Sequence, residues 1–191
     1  MSGSCRAHSR DRRQQLSTDL YVELPWGPNR HCLKNGGVAA SLVGEWSAQL
    51  NLTFQSGTPL TARVLGAASD IFRGVNGSLR ANYNGSPIQL TDPVVDEFFN
   101  ATAFSAPEPG QFGDSTRNMI VGPGARQLNA LFQRDVRLRS TRTVTLQVNA
   151  VNLLNTVQWA SIDTNVNSLN FGRVVSVRPM RTVTISARLR F

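Results

Sequence analysis

From Val183 to Phe191 every odd-numbered residue is apolar, and from Thr182 to Arg190 every even-numbered one is polar or charged. A period of two is that of a β-strand with two unlike faces. The same alternation recurs upstream. In residues 11–24, Leu16, Thr18, Leu20, Val22 and Leu24 share one face and Ser17, Asp19, Tyr21 and Glu23 the other, until Pro25 ends the run. Trp46, Ala48, Leu50, Leu52 and Phe54 then oppose Glu45, Ser47, Gln49, Asn51, Thr53 and Gln55. Two further strands, 127–138 and 143–155, flank a tight turn at 139–142. In the later one Val144, Leu146, Val148 and Ala150 oppose Thr143, Thr145, Gln147 and Asn149. In the earlier one Leu128, Ala130, Phe132, Val136 and Leu138 share their face with Arg134, so a bulge or a protein-covered face is expected there.

The pattern therefore predicts an all-β chain of antiparallel up-and-down strands. At about 3.3 Å per residue and a tilt near 45°, the final strand rises about 25 Å, the height of a membrane's apolar band. Trp46 and Phe54 sit at the two ends of their strand, where interfacial aromatics belong. The connections are unequal. The 139–142 turn is short, whereas 60–124 and 156–180 are long, which suits a barrel with short turns on one side and long loops on the other. Residues 26–44 form a turn-rich connector longer than such a turn should be. Phe98, Phe99, Phe104 and Phe112 predict that the longest loop folds onto itself, and 173–177 reads as a short extended piece.

Composition narrows this further. The 191 residues contain no apolar run long enough for a membrane helix, which says nothing about membrane strands. The net charge of +8, almost wholly arginine, suggests a polyanion partner at first. Scattered arginines without a nucleic-acid-binding motif argue against one; arginines at strand ends or along a lumen account for the same count. Residues 1–10 read as a disordered or non-native N-terminus and lack the apolar core of a secretory signal, although the rest looks exported. An enzyme is not expected. His8 and His31 have no partner at a motif spacing, Cys32 beside His31 is at most half a metal site, and no cofactor motif occurs. Cys5 and Cys32 fall at opposite ends of a strand, beyond disulfide reach. The Asn-X-Ser/Thr strings at Asn51, Asn76, Asn84 and Asn100 read as chance in an Asn-rich chain.

Several strings, in order, carry a family likeness: Leu24-Pro25-Trp26-Gly27, Gly44-Glu45-Trp46 and Gln55-Ser56-Gly57-Thr58-Pro59, then Phe99-Asn100 with Ala103-Phe104, Phe112-Gly113 with Arg117-Asn118, Gly122-Pro123-Gly124, Val151-Asn152-Leu153-Leu154-Asn155, Phe171-Gly172 and the terminal Phe191. From about Asp11 onward the chain resembles the C-terminal barrel of TonB-dependent receptors, especially the Oar-like group. The resemblance implies an outer-membrane transporter for a bulky nutrient, with a plug inside a barrel of roughly 22 strands. It implies that Phe191 belongs to the signal read during barrel assembly. The chain departs from the family in having no signal, no energy-coupling box, no plug and five clear strands, which cannot close. It is expected to be an incomplete transmembrane β-barrel, the C-terminal segment (11–191) of a larger receptor, with an unpaired outer edge on its last strand. Its partners are then outer-membrane lipid, the missing barrel and plug segments, the TonB system through that plug, and an unidentified small-molecule or oligosaccharide substrate. Gln49, Asn51, Thr53, Gln147, Asn149, Arg188 and Arg190 are expected to face the lumen, and Phe104, Phe112 and Trp159 to contact ligand from the loops. The competing expectation is a soluble basic β-sandwich that binds carbohydrate through those aromatics.

Overall fold

The structure, a computed structural model, describes residues 12–25, 44–65, 79–108, 111–139 and 142–191. The expectations for residues 1–10, His8, His31, Cys5, Cys32, Asn76 and nearly all of the 26–44 connector fall outside these. Among the described residues eleven strands follow in chain order: β1 (Gln15–Glu23), β2 (Trp46–Gln55), β3 (Pro59–Leu60), β4 (Asn82–Tyr83), β5 (Phe104–Ser105), β6 (Ile120–Val121), β7 (Ala125–Arg139), β8 (Arg142–Val151), β9 (Trp159–Ile162), β10 (Val174–Val177) and β11 (Thr182–Arg190). They belong to two compact units. One comprises Leu16–Phe54, Arg126–Thr156 and Pro179–Phe191; the other comprises Gln55–Ala125, Val157–Arg178 and the described residues that precede Leu16.

The first unit is the five-stranded sheet that the alternation predicts, in the order β1-β2-β7-β8-β11. Strands that follow one another within it are neighbours, the up-and-down arrangement. Its register explains the two faces. Val183, Ile185, Ala187 and Leu189 of β11 stand opposite Ala150, Val148, Leu146 and Val144 of β8, and these oppose Ala130, Phe132, Arg134 and Val136 of β7. On the other face Ser186-Gln147-Gln133, Arg188-Thr145-Asp135 and Arg190-Thr143-Arg137 form cross-strand rows. The sheet does not close. β1 and β11 are its edges, and β11 bonds to β8 alone among the described strands. A sandwich needs its apolar face covered by a second sheet. Here Leu16, Leu20, Val183, Ile185 and Leu189 are exposed, so the soluble-sandwich expectation is not met.

No bulge lies at Arg134. The β7–β8 ladder runs unbroken from Ala130 to Arg137, and its irregularity comes between Arg137 and Arg139. Arg134 itself is half-buried.

The string Val151–Asn155 forms the exit from β8. Asn152 and Asn155 both have left-handed backbones, φ 54° and 52°, a conformation that asparagine tolerates better than other side-chain-bearing residues. Asn152 Nδ2 donates to the Thr156 carbonyl at 3.0 Å, and its Oδ1 accepts from Thr156 N at 3.2 Å and Thr156 Oγ1 at 3.3 Å. Its own N–H donates to Asn129 Oδ1 at 3.1 Å, tying the turn to β7. Asn155 Oδ1 accepts from Arg181 N at 3.0 Å, just ahead of β11.

The second unit gathers the long connections. Three two-stranded ladders, β3–β6, β4–β5 and β9–β10, surround a core of Ala62, Val64, Leu79, Ala81, Phe98, Phe99, Ala103, Phe104, Ile120 and Ile162. The expected self-packing is present for Phe98, Phe99 and Phe104. It does not include Phe112, which is 70% exposed. β10 coincides with the extended piece expected at 173–177. Asn84 and Asn100 are structural: Asn84 Oδ1 accepts from Ser86 N at 2.9 Å, and Asn100 Oδ1 caps the 3-10 turn Ala101–Ala103 by accepting from Thr102 N at 3.1 Å. An Asn two residues before a Ser or Thr makes this turn readily.

Candidate functional site

Within the sheet unit, the polar face is the feature with chemistry. Gln147, Asn149, Arg188 and Arg190 share it, since Thr184 faces Asn149, Ser186 faces Gln147, Arg188 faces Thr145 and Arg190 faces Thr143. Gln147 Nε2 donates to Gln133 Oε1 at 3.0 Å, and Thr145 Oγ1 to Asp135 Oδ1 at 2.6 Å. On β2, Asn51 Nδ2 donates to Asp19 Oδ1 of β1 at 2.7 Å and Thr53 Oγ1 donates to Asn51 Oδ1 at 3.2 Å. Gln49 follows the same alternation. Such cross-strand polar pairs hold a face in register and present it to water.

Asp19, Gln133 and Asp135 complete these pairs and were missed from sequence. The signal was available in β7, whose odd-numbered residues alternate with its apolar set, but Arg134 and Leu131 blur the period: Leu131 pairs with Asn149 on the polar face. A cavity of about 720 Å³ in this unit is lined in part by Tyr21, Glu23, Glu45, Gln133, Asp135 and Arg137. Carboxylates, amides and guanidinium groups together make this a hydrogen-bonding wall for a polar solute. Among the described residues, no three His, Cys, Asp or Glu side chains are grouped to hold a metal.

The three loop aromatics fall apart as a group. Phe104 is 6% exposed and sits in the core, edge-on to Phe99 at 6.1 Å and to Phe171 at 6.3 Å. A ring so placed cannot meet a ligand, which corrects the expectation for Phe104. Trp159 is half-buried and stacks edge-to-face on Phe98 with centroids 5.5 Å apart. Phe112 alone presents its ring to solvent. Phe191 follows β11 and is exposed.

No described helix is long and apolar enough to cross a membrane, so any crossing falls to the strands. Comparison with known proteins agrees with the strand geometry. The model of the outer membrane beta barrel domain family matches residues 5–184. No curated protein and no solved structure matches the chain. A two-faced antiparallel meander, ending on a strand that alternates to its last residue and matched almost end to end by that model, places the chain in the outer membrane beta barrel domain family, as an outer-membrane barrel protein.

Proposed function

We propose that the chain forms the C-terminal wall of a TonB-dependent receptor, whose long loops contact a bulky nutrient. The observation that carries this reading is the pairing of one continuous polar face with two open sheet edges. Open edges in lipid leave backbone groups unpaired at several kcal/mol each. β1 and β11 therefore call for further strands, and a larger barrel supplies them. In this reading Gln49, Asn51, Thr53, Gln147, Asn149, Arg188 and Arg190 line the lumen, the apolar face meets lipid, and Phe191 serves barrel assembly. The β7–β8 turn lies on the periplasmic side, which sends the long connections outside. Energy coupling would reach this wall only through a plug encoded elsewhere in the receptor. The ordered receptor-like strings give the same reading from sequence. Phe112 and the half-buried Trp159 remain as loop aromatics available to substrate.

The test is to read the coding DNA upstream of Met1 in every frame. Further two-faced strands and a plug domain are expected there. An intergenic region there, with no further two-faced strands and no plug, would overturn the proposal.

A further inference from the structure

We propose that the loop unit holds a binding site for one anionic group, the carboxylate or phosphate of a small solute, with Arg12 and Arg178 as its cationic walls. Both arginines line a cavity of about 190 Å³ that lies wholly within this unit. Ser56, Thr58, Ser161 and Gln55 add hydroxyl and amide groups, and Leu60 and Ile162 provide apolar surface. Among the described residues, no aspartate or glutamate lines the cavity. Two arginines border one small space, and a bound anion there would make charge-assisted contacts with both.

The cavity is built rather than incidental. Ser56 N donates to the Gln14 carbonyl at 2.9 Å and Gln14 N to Ser56 Oγ at 3.1 Å, which seats the stretch carrying Arg12 beside Gln55. The Arg12 guanidinium donates to Gln55 Oε1, which aims it. Arg178 N donates to the Gln158 carbonyl at 2.7 Å, fixing where Arg178 leaves β10. Two backbones cross closely where the lining residues Ser56, Thr58, Pro123 and Ala125 are carried. A Cβ on Gly57 would lie 1.8 Å from the Gly122 carbonyl oxygen, and one on Gly124 would lie 2.8 Å from the Gln55 carbonyl oxygen, so that crossing has no room for a side chain.

Size sets the ligand class. The cavity has room for a carboxylate, a phosphate or one acid-bearing sugar ring. The site rests on the receptor reading only for where its ligand comes from.

The full chain, folded in neutral detergent, is titrated calorimetrically with inorganic phosphate, glucose 6-phosphate and glucuronate, with glucose as the uncharged control. Binding of at least one anion and none of glucose is expected, weakening as salt rises. Arg12→Gln and Arg178→Gln should each weaken it about tenfold or more. Arg178→Lys should retain part of the affinity, and Arg117→Gln, an exposed arginine off the cavity, should change nothing. Micelles doped with phosphatidylglycerol separate the sources: displacement of the anion assigns the site to a lipid headgroup, and retention assigns it to a solute. Absence of anion binding, equal binding of glucose, or wild-type affinity in both glutamine variants overturns the inference. Lost binding alongside an upstream plug gene removes this site alone; intact binding without such a gene removes the receptor reading alone.

Discussion

Replacing Asn152 with alanine should cost the sheet unit about 3 kcal/mol. The side chain is 4% exposed, and it makes two bonds to Thr156 backbone groups at 3.0 and 3.2 Å, with a weaker third to the hydroxyl. The two backbone bonds are worth about 1 kcal/mol each. Alanine must also hold a φ of 54°, a left-handed conformation that costs a residue with a Cβ about 1 to 2 kcal/mol. Glycine loses the bonds but adopts the backbone freely, so Asn152→Gly should cost less, about 2 kcal/mol. Urea unfolding in detergent micelles, followed by tryptophan fluorescence, resolves the two. With a slope of about 2 kcal/mol per molar urea, the alanine midpoint falls by about 1.5 M and the glycine midpoint by about 1 M. An alanine variant as stable as the parent, or a glycine variant weaker than the alanine one, would refute this account of the turn.

Phe99 is fully buried and edge-on to Phe104 and Phe171, so Phe99→Ala should destabilise the loop unit by about 3 to 5 kcal/mol and open it to limited proteolysis. Gly57→Ala sets a methyl against the Gly122 backbone and should abolish protease resistance of the same unit, whereas Gly85→Ala meets open space at φ 87° and should cost only about 1 to 2 kcal/mol. Asp135→Ala removes the acceptor of Thr145 Oγ1 on an exposed part of the sheet; a loss above about 1 kcal/mol in urea titration would show that this row is more strongly coupled than its exposure allows.

The five long strands were legible because a two-faced sheet writes its faces into alternate residues, and nothing else in the chain competes with that period. Their up-and-down order was legible as well, although the 26–44 connector is longer than a hairpin turn. The loop unit was not legible in the same way. Strands of two residues, such as Pro59–Leu60 against Ile120–Val121, are too short to show a period. They are held by backbone bonds and by the Gly57–Gly122 crossing, where the informative feature is an absent side chain. Phe104 and Phe112 look alike in sequence, but one turns into the core and the other into solvent, and contacts distant in sequence decide which. The polar face was half visible: Gln147 was named, but its partner Gln133 was not, because β7 carries Leu131 on the polar side and Arg134 on the apolar one. The arginine pair of the small cavity joins two segments far apart in sequence, and no local spacing announces it.

In the proposed receptor wall the sheet crosses the outer membrane with Val144, Leu146, Val148 and Ile185 toward lipid and Gln147, Asn149 and Ser186 away from it. Single cysteines at these positions, in a Cys5→Ser, Cys32→Ser background, can be spin-labelled in outer-membrane vesicles and their collision rates measured with oxygen and with a water-soluble nickel chelate. Strict alternation is expected along β8, with oxygen favoured at Val144→Cys, Leu146→Cys and Val148→Cys and the chelate favoured at Gln147→Cys and Asn149→Cys. Equal access of the chelate to both sets would contradict a membrane-crossing sheet.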